Sequence, residues 1–203
     1  MGKLLIINTG PTAYEQSGDY PVEKKAGQYA PPEKWAEAAL ERIAAEKVCA
    51  VYFCPVPGAK ETAAIISGKL GLIAQPLAGL ENVIDPAWKG MTPDDALKME
   101  SSFAEVPPGP RDLDLPFTRS ADSLRVEIAS VLDTLTKQHK KEPVLIVSHR
   151  MLTPLLILHL LHMANHHYRQ VEQEYGALNL FEVRSGMPSA IYINDTCHLH
   201  GLI

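Results

Sequence analysis

The residues most able to do chemistry in this sequence lie where three apolar runs end. These runs end in the turns Asn8–Gly10, Cys54–Gly58 and Ser148–Arg150. Only the last turn carries an ionisable pair, His149 and Arg150, and a predicted helix begins directly after it. Free backbone N–H groups and the helix dipole favour an anion at such a place. With the hydroxyls of Thr9 and Ser148 as further donors, these residues predict an anion-binding site.

Strand-like and helix-like periods alternate along the chain, which indicates the elements that position these turns. Predicted strands cover residues 3–9, 48–55, 143–149, 176–183 and 189–196, and predicted helices cover 31–47, 59–71, 93–101, 120–140 and 151–165. This alternation predicts a three-layer α/β/α fold with a mostly parallel sheet and helices on both faces. In such sheets, ligands bind beyond the carboxyl ends of the strands, near the point where the strand order reverses.

Length and composition argue against two classes of function, nucleic-acid binding and a membrane role. A chain of 203 residues, 46% of them hydrophobic, favours one domain, here with a variable, proline-rich insertion at about 82–119. The formal charge of −5 does not provide the basic surface of a nucleic-acid-binding protein. The most apolar run, residues 151–164, is too short to span a bilayer and is interrupted by Pro154. We therefore expect neither a nucleic-acid partner nor a membrane role.

Cysteine and histidine usage gives two further expectations. The three cysteines form an odd set without metal-ligand spacing, and the chain opens on a strand instead of a signal peptide, which together predict a cytoplasmic protein. His159, His162, His166 and His167 could share a helix face and chelate a metal, but no acidic or cysteine ligand set lies near them in sequence. We expect core and surface histidines there, with no metal and no cofactor.

The order of these segments resembles the histidine phosphatase superfamily, which has the phosphoglycerate-mutase-like fold. Its members begin with a strand that ends in Arg-His-Gly-Glu-Thr, and the same frame here reads Asn8-Thr9-Gly10-Pro11-Thr12. Further matching segments are 53–63, 80–82, 88–90, 121–124, the strand "VLIVSH" at 144–149 and the tail "INDTCHL" at 193–199. The resemblance covers nearly the whole chain and implies the same α/β fold.

The resemblance also implies a role for each matching position. In the family, the first histidine attacks phosphorus and carries it as phosphohistidine, two arginines and a second histidine bind the phosphoryl oxygens, and an acid protonates the leaving group. Here the nucleophile position holds Thr9, the arginine positions hold Asn8 and Gly58, and the acid position holds Asn82. Only the second histidine is retained, as His149.

These replacements predict a pseudoenzyme. A threonine hydroxyl needs an adjacent base before it can attack phosphorus, and loss of one charge-stabilising donor costs roughly 10²–10³ in rate. Lys60 lies two positions from the missing arginine and Glu81 one position from the missing acid, and both could replace them in part. We expect a small anionic or phosphorylated ligand, or a protein partner, in the old active-site pocket. The expected ligand-binding residues are Asn8, Thr9, Gly58, Lys60, Glu81, Asn82, Ser148, His149 and Arg150.

Two other interpretations remain open. The protein could be an atypical phosphatase or mutase, or a repurposed enzyme that uses His149 as acid or base beside Thr9 or Cys54. It could instead have a structural role with a vestigial pocket. Because family members often form dimers, a homodimer is plausible under each interpretation.

Overall fold

The computed structural model describes residues 2–10, 32–80, 121–184 and 186–200 of the chain. Six strands in these residues form a single mixed sheet in the order β3-β2-β4-β1-β5-β6. The strands are β1 Lys3–Asn8, β2 Ala50–Phe53, β3 Ala74–Pro76, β4 Pro143–Ser148, β5 Leu178–Arg184 and β6 Met187–Asp195. Strands β3, β2, β4 and β1 run parallel, β5 pairs antiparallel with β1, and β6 pairs antiparallel with β5 at the edge of the sheet.

Strands β1 and β4 form the centre of the sheet and of the hydrophobic core. Residues 4–7 and 144–147 are fully buried, which is expected when helices cover both faces of a parallel pair. The helices are α1 Pro32–Ala45, α2 Pro57–Leu70, α3 Ala121–His139 and α4 Thr153–Leu160. Helix α1 packs against α2, and α3 packs against α4. The predicted α/β class with its mostly parallel sheet is confirmed.

Helix α2 begins two residues earlier than the predicted 59–71. Proline is well suited to the first turn of a helix, because it has no N–H to leave unpaired and its φ is already helical. Pro57 occupies this turn, so Gly58 lies inside the helix and not in the preceding loop. The helix ends where Gly71 adopts φ +68°, with its N–H directed to the carbonyls of Ser67 and Gly68.

Helix α4 is shorter than the predicted 151–165. It ends at Leu160, His162 adopts a positive φ of 55°, and a 3₁₀ helix follows at Asn165–Gln170. The apolar run at 151–164 thus contains a short core helix. Among the described residues, no helix combines the length and apolarity needed to cross a membrane.

Strand β3 lies in a stretch where the sequence patterns predicted no strand. It has three residues, only Ala74 of which is partly buried, so it leaves almost no hydrophobic period to detect. The predicted helix at 93–101 and the predicted insertion at 82–119 lie outside the described residues.

Candidate functional site

The three polar turns meet at the carboxyl edge of the sheet. Neighbouring parallel strands place Asn8 opposite Ser148, and the N–H of Thr9 donates to the Ser148 carbonyl at 2.9 Å. On the other side of β4, the N–H of Cys54 donates to the Val147 carbonyl at 2.9 Å. The Cys54 thiol in turn lies 3.4 Å from Ser148 Oγ. The sheet thus brings the first, second and third turns to one place.

Asn8 is completely buried, and its side-chain amide bonds within the protein. Nδ2 donates to Gln173 Oε1 at 2.9 Å and to the Glu174 carbonyl at 3.1 Å. Oδ1 accepts a hydrogen bond from Thr153 Oγ1, at the start of α4. Both amide hydrogens and the oxygen therefore have partners, so Asn8 joins the end of β1 to two other segments.

A second asparagine extends this buried network toward β6. Asn179 Nδ2 donates to the same Gln173 oxygen at 2.9 Å, and Asn179 Oδ1 accepts from the Asn194 N–H at 2.8 Å. Asn194 Oδ1 then accepts from the Glu174 N–H at 2.7 Å. Sequence reasoning missed Gln173, Asn179 and Asn194, because isolated amide residues in strands and loops carry no periodic signal.

His149 follows β4 directly at this edge of the sheet. The residue is partly buried, and its Nε2 is buried without a hydrogen-bond partner among the described residues. Burial lowers the pKa of His149 to about 4, because water no longer stabilises the charged ring. The imidazole is therefore neutral at pH 7.

The sequence profile of the histidine phosphatase superfamily (branch 1) matches residues 33–196. The chain belongs to this superfamily. The matched region includes His149 and begins after the Asn8–Gly10 turn. A search of curated proteins found no match.

Solved structures of the same fold cover almost the whole chain. The phosphoserine phosphatase of Entamoeba histolytica in complex with 3-phosphoglyceric acid is 23% identical, with 98% of this chain and 100% of that chain covered and a TM-score of 0.75. YhfR of Bacillus stearothermophilus is 20% identical, with 97% and 98% covered and a TM-score of 0.82. The mycobacterial glucosyl-3-phosphoglycerate phosphatase Rv2419c with VO3 is 15% identical, with 97% and 100% covered and a TM-score of 0.74. These likenesses support the histidine phosphatase fold.

The remaining residues predicted from the histidine phosphatase pattern differ in exposure. Gly58 is partly buried in the first turn of α2, and Lys60 is exposed two residues further on. Thr9 is 5% exposed, and Ser148 is completely buried. Glu81 and Asn82 lie outside the described residues. The ligand-binding roles of all these residues stay predictions.

The thiol of Cys54 is a poor candidate nucleophile. Burial raises its pKa to about 12, although the Ser148 hydroxyl lowers it in part. A protonated thiol is a weak nucleophile, and a buried one usually acts as a small hydrophobic side chain. Among the described residues, no group of three or more metal-binding side chains meets at this edge of the sheet.

Trp35, from α1, packs over the turn at the end of β1. Its ring lies close to both Gly10 and Gly176, and the Gly176 N–H donates to the Thr9 carbonyl at 3.2 Å. Tyr175 lies beside Trp35 with 6.5 Å between ring centroids. Arg150 stacks on Tyr175 at 4.7 Å and donates to its hydroxyl at 2.9 Å. This aromatic pair thus fixes Arg150 near the end of β4.

The packing of Trp35 on Gly10 gives a direct stability prediction. A Cβ at residue 10 would overlap the indole ring, so Gly10→Ala should lower the free energy of unfolding by about 1–3 kcal/mol, as overpacking usually does. Urea denaturation measures the change. Gly68→Ala is the matched control, because Gly68 lies inside α2 and a Cβ there meets nothing within 4 Å. The control should raise stability by roughly 0.5–1 kcal/mol. Equal effects of the two variants would contradict the packing described here.

Proposed function

We propose that this histidine phosphatase superfamily member binds a small anionic or phosphorylated ligand at the carboxyl edge of the sheet and does not form a phosphohistidine. The proposal depends mainly on His149. His149 follows the end of β4, and its Nε2 is buried with no partner among the described residues. A buried polar nitrogen without a hydrogen-bond partner destabilises the protein. A ligand oxygen that bonds to this nitrogen would remove that cost, which favours ligand binding.

The residue types at the end of β1 argue against covalent phosphoryl transfer. The nucleophile position holds Thr9, whose hydroxyl requires a base. His149, at the end of β4, is a candidate base, but a base is most effective when its pKa lies near the working pH. The lowered pKa of about 4 makes the His149 ring a weak base at pH 7.

The arginine position in the first strand supports the same conclusion. Asn8 stands there, and its amide bonds to Gln173, Glu174 and Thr153 instead of pointing to an open ligand site. Positive charge for an anion would come from Lys60, near the start of α2, and from Arg150, which Tyr175 holds by stacking. Exposed cations of this kind attract an anion without the fixed geometry of two buried guanidiniums.

A histidine variant with the same fold was solved with a phosphorylated ligand bound. A variant of the E. histolytica phosphoserine phosphatase with one histidine replaced by alanine was solved in complex with phosphoserine. It is 23% identical to this chain, with a TM-score of 0.72. This precedent supports phosphorylated carboxylic acids as the first ligands to test.

We expect 3-phosphoglycerate, phosphoserine or inorganic phosphate to stabilise the protein against heat. A ligand at 100 times its dissociation constant adds about 2.7 kcal/mol. The change His149→Gln should weaken binding by about 10- to 100-fold, because a hydrogen bond to a charged group is worth roughly 1.5–3 kcal/mol. Titration calorimetry on both proteins measures the difference. His162→Gln is the matched control, because His162 is an exposed histidine past the end of α4.

The alternative function, an atypical phosphatase or mutase, requires different outcomes in the same preparation. Hydrolysis of an aryl phosphate that is lost in His149→Ala and retained in His162→Gln would support that enzyme. Trapping of a phosphorylated side chain during turnover would overturn the proposed binding function. No stabilisation by any anion, together with a pocket filled by side chains and no turnover, would favour a structural role.

A further inference from the structure

A second group of chemically capable side chains lies at the opposite edge of the sheet. Cys49 directly precedes β2, Glu142 directly precedes β4, and His139 is the last residue of α3. Strands β2 and β4 are parallel neighbours, so the residues before them start from the same edge. The Cys49 sulfur, one ring nitrogen of His139 and one carboxylate oxygen of Glu142 all lie within 4.8 Å of one another.

The separations between these atoms are close to those around a tetrahedral zinc ion. Zinc binds thiolate sulfur at about 2.3 Å, imidazole nitrogen at about 2.0–2.1 Å and carboxylate oxygen at about 2.0–2.2 Å. Tetrahedral angles then put the sulfur and oxygen about 3.6 Å apart and the nitrogen and oxygen about 3.4 Å apart. The structure has 3.7 Å from Cys49 Sγ to Glu142 Oε2 and 3.4 Å from His139 Nδ1 to the same oxygen.

Neighbouring groups hold two of these side chains in place. The hydroxyl of Tyr52 lies 2.8 Å from His139 Nε2, and the two rings meet edge to face at 5.7 Å. With a metal on Nδ1, the ring would carry its proton on Nε2 and donate it to the Tyr52 oxygen, as metal-binding histidines usually do. The backbone N–H of Cys49 donates to the Pro143 carbonyl at 3.0 Å and positions the residue. The thiol donates to the same oxygen at 3.1 Å, and this second bond would be lost when the thiol gives up its proton to bind zinc.

We propose that Cys49, His139 and Glu142 form a three-ligand zinc site at the amino edge of the sheet. The mixed sulfur, nitrogen and oxygen set suits Zn²⁺ and excludes Mg²⁺ and Ca²⁺, which prefer oxygen alone. Cys49 is exposed and the Glu142 side chain is 62% exposed, so water can take the fourth position. The ion would join the end of α3 to the starts of β2 and β4. The site is separate from the ligand-binding edge and is independent of the proposed function.

Zinc and cobalt binding to the full chain test this site. We expect one Zn²⁺ per chain in competition with a chromophoric chelator, a higher midpoint of thermal unfolding with Zn²⁺, and a thiolate-to-cobalt charge-transfer band with Co²⁺. Cys49→Ser should remove the band, and both Cys49→Ser and Glu142→Gln should weaken Zn²⁺ binding by at least about 10-fold. Even removal of a group that only hydrogen-bonds to a metal ligand typically weakens metal binding by about 10-fold or more, and these two residues are ligands themselves. Cys197→Ser is the matched control, because Cys197 is also an exposed free cysteine.

Each outcome of this experiment decides the proposal. Loss of affinity in Cys49→Ser and Glu142→Gln, with unchanged affinity in Cys197→Ser, would establish the site. Unchanged affinity in either ligand variant, equal loss in Cys197→Ser, or no stoichiometric binding by the unaltered chain would overturn it. Both ligand positions are exposed, so the metal-free variants should unfold at the same temperature as the metal-free parent.

Discussion

Replacing Asn8 with aspartate should lower the free energy of unfolding at pH 7 by about 3–5 kcal/mol, the usual cost of an unpaired buried charge. The substitution changes Nδ2 from a donor to an acceptor and sets it against two acceptors, Gln173 Oε1 and the Glu174 carbonyl. It also places a carboxylate where Asn8 is completely buried. Urea denaturation of the two proteins measures the loss.

The loss of stability caused by Asn8→Asp should become smaller as the pH falls. Burial and facing oxygens raise the folded-state pKa of the new carboxyl above its unfolded value of about 3.9. The folded state therefore binds more protons, and stability should recover as the pH falls through the raised pKa. Asn194→Asp is the matched control, because Asn194 Oδ1 is already an acceptor, from the Glu174 N–H. A loss under about 1 kcal/mol in Asn8→Asp would contradict the network.

The stability of the unaltered protein should fall by about 2–3 kcal/mol more than that of His149→Gln between pH 7.5 and pH 4.5. Burial lowers the pKa of His149 to about 4, against about 6.5 in an unfolded chain. Between these values the unfolded state binds the extra proton, so the contribution of the neutral ring is complete above pH 6.5 and is lost as the pH falls toward 4.

Urea denaturation of both proteins at several pH values isolates the contribution of His149 to the free energy of unfolding. Burial also lowers the pKa of His159 and His198, and these residues are unchanged in the variant, so the difference between the two curves reports His149. If the free energies of unfolding of the two proteins changed in parallel with pH, the His149 ring would be solvated and would titrate normally. A bound phosphate should reduce the difference, because an anion beside the ring favours its protonated form.

Much of the fold could be predicted from the sequence. The continuous aliphatic runs at 3–9 and 143–149 predicted buried parallel strands, and β1 and β4 confirm them as the centre of the sheet. The start of α2 and the length of α4 were predicted less well, because a proline in a first turn and a positive φ at His162 override hydrophobic periodicity. The single domain, the homodimer and the cytoplasmic location stay predictions.

Sequence alone placed three polar turns at strand ends. The resemblance to the histidine phosphatases further predicted that Thr9 stands at the position of the nucleophile and that His149 is the retained histidine. These are properties of residue type and order, which a pattern can read directly.

Only the tertiary structure decided which side chains come into contact. It joins Asn8 to Gln173, 165 residues away, and it places Cys49 against Glu142 across 93 residues. Hydrogen bonds and metal ligation depend on distances of a few ångströms in space, and the sheet order that creates those distances leaves no local trace in the chain.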